Sequence, residues 1–122
     1  MSFFNMSAMS YGALSAPAVE ALSYGTELAG CWLNTGEGGL ASHHLKGNPD
    51  IVFEIGTAKY GVRDKEGNLC EDKLREIAAK PQIKMFELKL SQGAKPGDGG
   101  ILPGGKVTKE IAEIRNIPQG ED

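Results

Sequence analysis

Where the glycines fall constrains this chain more than any other feature. The sequence holds 17 of them. Most lie in three stretches, Gly36 to Gly39, Gly56 to Gly61 and Gly93 to Gly105. Each stretch comes after a short run of strand-forming residues: Cys31-Trp32-Leu33, Ile51-Val52-Phe53-Glu54-Ile55, and Ile83 to Leu90. A collagen helix needs a strict three-residue repeat, and none is present. Disorder needs fewer apolar runs than this chain has. Glycine placed behind strands instead means tight backbone, often in close approach to a ligand.

Helix signals fill the intervals. Met6 to Ser10 reads as a first short strand. Ser15 then stands as an N-cap with Pro17 in the first turn. Val19, Leu22 and Ala29 form a partial apolar face, and Gly30 is placed to end that helix. Glu71 to Ala79 carries Leu74, Ile77 and Ala78 on one face, and Pro81 stops it. Thr108 caps a last short helix with Ile111 and Ile114, ended by Pro118. Strands and helices therefore alternate, which predicts an α/β fold with a parallel sheet. Ligands of such folds bind at the carboxyl ends of the strands, where the glycines lie.

The fourth strand separates two versions of that fold. Side chains alternate between faces. Phe86, Leu88 and Leu90 share one face, suited to a helix layer, while Glu87, Lys89 and Ser91 share the other. An open doubly wound sheet is apolar on both faces. A charged inner face near a strand's carboxyl end suits the mouth of a barrel, although a solvated edge strand gives the same pattern.

Composition excludes several classes. A chain of 122 residues is expected to form one domain, residues 1–122, with a modest core. The net charge of -3 comes with no basic patch for nucleic acid. No apolar run is long enough to cross a bilayer. Met1-Ser2-Phe3-Phe4 lacks a basic leader, so the expected location is cytoplasmic, with Cys31 and Cys70 as reduced thiols. Their spacing fits no metal or redox motif. His43 and His44 are expected on a surface loop, and no metal site is expected.

Longer motifs point further. Met9-Ser10-Tyr11-Gly12-Ala13-Leu14-Ser15 comes first, then Asn34-Thr35-Gly36-Glu37-Gly38-Gly39. Lys89-Leu90-Ser91-Gln92-Gly93-Ala94-Lys95-Pro96-Gly97 continues into Gly99-Gly100 and Leu102-Pro103-Gly104, and Ile111-Ala112-Glu113-Ile114-Arg115 follows. In this order they resemble the FMN-binding (central or large-subunit) domain of the glutamate synthase family, from about Asn5 to Asp122. The resemblance implies a parallel eight-stranded TIM (β/α) barrel, of which this chain covers about the first four βα units, its amino-terminal half. A whole barrel takes about 250 residues. The later strands, the family's iron–sulfur cysteine segment and its amidotransferase domain are not in this sequence.

The resemblance also implies the chemistry. Reduced FMN gives hydride to 2-iminoglutarate, formed from 2-oxoglutarate and ammonia, to yield glutamate. Lys95 and Arg115 match the family's dicarboxylate-binding cations, and an arginine there would clamp a carboxylate bidentately. Glu37, flanked by glycines, matches a catalytic residue near ammonia entry or proton transfer. Met9, Ser10, Tyr11, Gly12 and Ala13 would lie along the flavin edge. Asn34 and Thr35 would meet its pyrimidine ring, Lys89 its N1–C2 region, and Gln92 is the matched polar residue after the fourth strand. Glu54 is a departure, since many members of that family carry glutamine there, and Ile101 replaces a polar residue found in some.

Three functional readings follow. The first is a flavin-dependent oxidoreductase piece, inactive alone and paired with a second polypeptide or a homo-oligomer that completes the barrel. The second is an inactive structural half-barrel that self-associates. The third is a sensor that binds the dicarboxylate without flavin.

Overall fold

Parallel pairing organises the chain in the computed structural model, which describes residues 2–94 and 101–121. Three strands, β1 (Trp32–Asn34), β2 (Asp50–Ile55) and β3 (Ile83–Leu88), form one sheet in the order β1-β2-β3. Both pairings are parallel, with Leu33 opposite Ile51 and Phe53 opposite Phe86. Helices α1 (Ala16–Ala29), α2 (Ser42–Leu45), α3 (Glu71–Ala78) and α4 (Lys109–Arg115) surround it, with one 3₁₀ turn at Gly104–Lys106. The expected α/β fold with a parallel sheet is therefore present. The loops after β1, β2 and β3 share one rim and carry Gly36 to Gly39, Gly56 to Gly61 and Gly93. Gly97, Gly99 and Gly100 lie outside the described residues.

Local signals explain most boundaries. The Ser15 hydroxyl accepts the Ala18 N–H at 3.4 Å, and Gly30 ends α1 at φ 67°. The Thr108 hydroxyl accepts the Ile111 N–H at 3.4 Å and starts α4. That helix ends at Asn116, in the left-handed region at φ 56°, rather than at Pro118. The fourth predicted strand stops at Leu88, although the Lys89 N–H still reaches the Ile55 carbonyl at 2.9 Å.

The first predicted strand, Met6 to Ser10, is a correction. Met6 makes one parallel bridge to Leu33, its N–H donating to Trp32 and its carbonyl accepting from Asn34. A continued ladder needs residue 8 to bond Asn34 next, but Met9 does so, at 3.1 Å. The one-residue slip ends the strand at a single rung.

Helix α1 buries Val19, Ser23 and Thr26, while Leu22 is only half-buried and Ala29 exposed. Its inner stripe is thus largely polar, and each hydroxyl is satisfied. Ser23 Oγ donates to the His44 carbonyl at 2.6 Å and accepts the Gly47 N–H at 2.9 Å. The Thr26 hydroxyl donates to the Leu22 carbonyl at 2.6 Å. Apolar packing concentrates elsewhere. Phe53, Val62 and Ile77 form one core under α3, and Val107, Ile111 and Ala112 form another around α4. Phe86 meets Phe53 edge-on at 5.9 Å, so β3 turns the expected face to the helix layer. Leu88 and Leu90, further along, are 70% and 86% exposed, which leaves the β3 side uncovered. No helix among the described residues is long and apolar enough to cross a membrane.

Candidate functional site

The rim above the strands surrounds two neighbouring hollows. One, of about 710 Å³, is lined by Ser10, Ala13, Glu37, Gly38, Tyr60, Gln92, Ile101, Leu102, Lys106 and Arg115, among others. The other, of about 630 Å³, lies on the sheet's inner face between Asn5 to Ala8 and β3, lined also by Asn34, Glu54, Glu87 and Lys89. Segments spread over more than 100 positions of sequence therefore meet in one place.

Arg115 ends α4 and is only 8% exposed. One terminal nitrogen donates to the Tyr11 carbonyl at 3.4 Å, and the guanidinium carbon lies 5.0 Å from the centre of the Tyr60 ring. Its Nε is buried without a hydrogen-bond partner among the described residues. Burial pulls its pKa down, against the opposing influence of Tyr60. Two glycines make the space. A Cβ on Gly38 would stand 2.9 Å from the Arg115 Nη2, and one on Gly12, at φ 110°, 3.2 Å from it. No ion pair joins Arg115 to a carboxylate among the described residues. A buried cation that faces a hollow with spare donors is suited to an incoming anion.

Glu37 is held from β3 and the loop after it. Its Oε2 accepts from Lys89 Nζ at 3.1 Å and from Gln92 Nε2 at 2.8 Å. Lys89 also lies 3.9 Å from Glu54 Oε1. Lys89 thus points inward, as the strand alternation predicts, with Glu37 and Glu54 as its partners. Glu87 bonds the Asn34 amide. Glu54 is 4% exposed, and burial pushes its pKa up, opposed by Lys89 and reinforced by Glu87 and Glu37. The protonated acid has one donor and one acceptor, much as glutamine does.

Other expected site residues are tied into the scaffold. Thr35 is fully buried; its hydroxyl donates to the Gly36 carbonyl and accepts the Glu54 N–H. Asn34 Oδ1 accepts the Gly36 N–H at 2.8 Å. The Tyr11 hydroxyl donates to Glu110 at 2.7 Å, and its pKa is pushed up to about 12 by burial and then by that carboxylate. Met9, Ser10, Gly12 and Ala13 run along the rim beside them. Ile101 lines the larger hollow. Lys95 lies outside the described residues.

The histidines overturn the expectation of a surface loop. Both sit on α2. His44 is fully buried. Its Nδ1 accepts the Ala41 N–H at 3.0 Å, so Nε2 bears the proton and donates to the Met9 carbonyl at 2.7 Å. Burial lowers its pKa and favours this neutral form. His43 lies 2.7 Å from Glu20 and 3.1 Å from Glu110, with its ring 4.6 Å from that of Tyr11. Tyr60 and Lys106 were also missed. An aromatic residue inside the Gly56 to Gly61 cluster was the available signal for Tyr60.

Comparison with known proteins agrees with the motifs. A family described as "Conserved region in glutamate synthase" matches residues 1–122. The chain is 51% identical over 116 residues to a glutamate synthase large subunit-like protein, YerD, of Bacillus subtilis, covering 94% of this chain and 22% of that one. It is 40% identical to the archaeal glutamate synthase [NADPH] of Archaeoglobus fulgidus and 38% to the archaeal-type enzyme of Thermotoga maritima, covering 95% and 94% of this chain and 20% of each relative. The chain thus spans about a fifth of the length of these relatives. With the family matched along its whole length, the chain belongs to the glutamate synthase family.

Proposed function

We propose that this chain supplies the dicarboxylate-binding half of a flavin-dependent glutamate synthase site, within a (β/α)₈ barrel whose remaining units come from further polypeptide. The observation that carries the reading is Arg115, a buried guanidinium without a carboxylate partner among the described residues, facing a hollow that also holds Glu37. In this reading Arg115 receives one carboxylate of 2-oxoglutarate or 2-iminoglutarate through its in-plane N–H groups, and Lys95 receives the other. Glu37, fixed by Lys89 and Gln92, receives ammonium or exchanges a proton with the substrate nitrogen.

The inner-face hollow fits the ring of a flavin. It is apolar at Val52 and Met85 on the inner face, and its polar groups lie at Asn34, Glu54, Glu87 and Lys89, the mix that suits a flat heteroaromatic ligand. FMN, when bound, supplies the hydride. Met9 to Ala13 would border the ring, and a neutral Glu54 would spare it an adjacent negative charge. The phosphate site of βα barrels is built after the last strands, so tight FMN binding and turnover are expected only with the rest of the barrel.

Calorimetric titration of 2-oxoglutarate into the chain tests the reading. Binding that Arg115→Gln abolishes supports it. Absence of binding, or binding indifferent to Arg115, contradicts it. Fluorescence titration of FMN tests the division of labour: stoichiometric tight binding and glutamate formation from chemically reduced FMN by this chain alone would refute it.

A further inference from the structure

Tyr60 lies in the loop after β2, half-buried on the wall of the Arg115 hollow. Two guanidinium groups approach its ring, Arg115 at 5.0 Å and Arg63 at 5.7 Å from the centroid. Stacking uses the flat face of a guanidinium, whereas its five N–H groups point outward in its plane. The face of a ring can therefore hold an arginine without consuming the donors that bind an anion, although the Tyr60 side chain also takes a hydrogen bond from the Arg115 guanidinium. A carboxylate partner would consume them.

The loop that carries Tyr60 is fastened to the helix that carries Arg115. The Arg63 carbonyl accepts from the side-chain amide of Asn116, the residue that ends α4, at 3.2 Å, and from Lys73 Nζ at 2.9 Å. The Arg63 guanidinium donates to the Ala58 carbonyl at 3.3 Å within the same loop. The loop that presents the ring is thus tied to the end of the helix that presents the guanidinium before any ligand arrives.

We propose that Tyr60 is the positioning residue for Arg115, its ring setting the guanidinium plane at the angle an incoming carboxylate needs. The proposal rests on the reading of Arg115 as the carboxylate clamp. Tyr60 itself need not touch the ligand. Its contribution is preorganisation, which spares the side chain an ordering cost on binding.

The test titrates 2-oxoglutarate into the wild-type chain and into Tyr60→Phe, Tyr60→Leu and Arg115→Gln, with the Arg115 Nε–H resonance followed by NMR. Tyr60→Phe keeps the ring and is expected to bind within about threefold of wild type, with an unmoved resonance. Tyr60→Leu is expected to weaken binding by about tenfold, the scale of a desolvated cation–π contact, and to move the resonance as the ring current is lost. Should the leucine variant fail to fold, Tyr60→Met replaces it with the same expectation. Wild-type affinity in the leucine or methionine variant, with binding lost in Arg115→Gln, overturns the positioning role and leaves the clamp standing. So does equal weakening by phenylalanine and leucine, which would assign the effect to the hydroxyl. No binding by the wild type, or undiminished binding by Arg115→Gln, overturns the clamp itself and the positioning role with it.

Discussion

Lys89 Nζ stands 3.1 Å from Glu37 Oε2, joining the end of the third strand to the loop after the first. The same ammonium is the charge that restrains the upward shift of buried Glu54. Replacement by methionine should therefore drive the Glu54 pKa higher still. A ¹³C-detected titration of the glutamate carboxyls reads this directly, and an unchanged or lower value would contradict it.

Glu54→Gln should stabilise the chain at neutral pH. A carboxyl whose folded pKa is raised above 4.5 holds its proton longer folded than unfolded, so its contribution to stability falls as pH rises from 4.5 through the folded value. The amide removes that loss. Urea midpoints should favour the variant at pH 7, and its advantage should shrink toward pH 4. An advantage that is constant with pH would show that packing, not ionisation, is responsible.

His44 gives the opposite slope. Its folded pKa lies below 6.5, so acid protonates the unfolded chain first and stability declines as pH falls from about 6.5. His44→Ala should remove that portion of the pH dependence. It should also cost ~1–3 kcal/mol for the buried Ala41 N–H left without its partner, and less for the carbonyl of half-buried Met9. Urea unfolding at pH 7.5 and 5.5 measures both effects.

Gly38→Ala tests the space around Arg115. The added methyl would stand 2.9 Å from Nη2, so the guanidinium must move. Binding of 2-oxoglutarate should weaken by about tenfold or more, since small misplacements of a positioned group are costly. The fold should survive, as the change adds one methyl beside a hollow. Calorimetry alongside circular dichroism distinguishes the two.

The uncovered β3 side predicts association. Leu88 and Leu90 are largely exposed beside a strand edge open for pairing. Light scattering should show mass increasing with concentration, and Leu88→Lys with Leu90→Lys should reduce it. A monodisperse monomer at high concentration would count against this.

The sequence made the parallel α/β order legible because caps and stops are local: Ser15, Gly30 and Thr108 each act within a few residues. The inward set of Lys89 was legible for a similar reason, since strand alternation is a local rule. What it did not reveal depends on distant partners. Ser23 and Thr26 look like exposed helix residues until the His44 and Leu22 carbonyls and the Gly47 amide are supplied. His44 looks like a surface residue until Met9 is placed against it. The register slip at Met6 to Met9 leaves no mark in composition, and Tyr60 gains a role only when α4 returns to it. The arginine clamp, the acidic neighbour and the flavin-edge segment were named from motif resemblance rather than from spacing.

Tyr11 and Glu110, joined through the tyrosine hydroxyl, are 99 residues apart in the chain. His43 and Glu20 extend the same junction to α2 and α1. During biosynthesis the junction therefore waits until α4 has been made. At about 5–20 residues per second, a ribosome needs roughly 5 to 20 s to make the intervening segment. For that interval the Met9 to Ala13 segment lacks the helix that fastens Tyr11, and the rim of the site takes its final form only after α4 has been made.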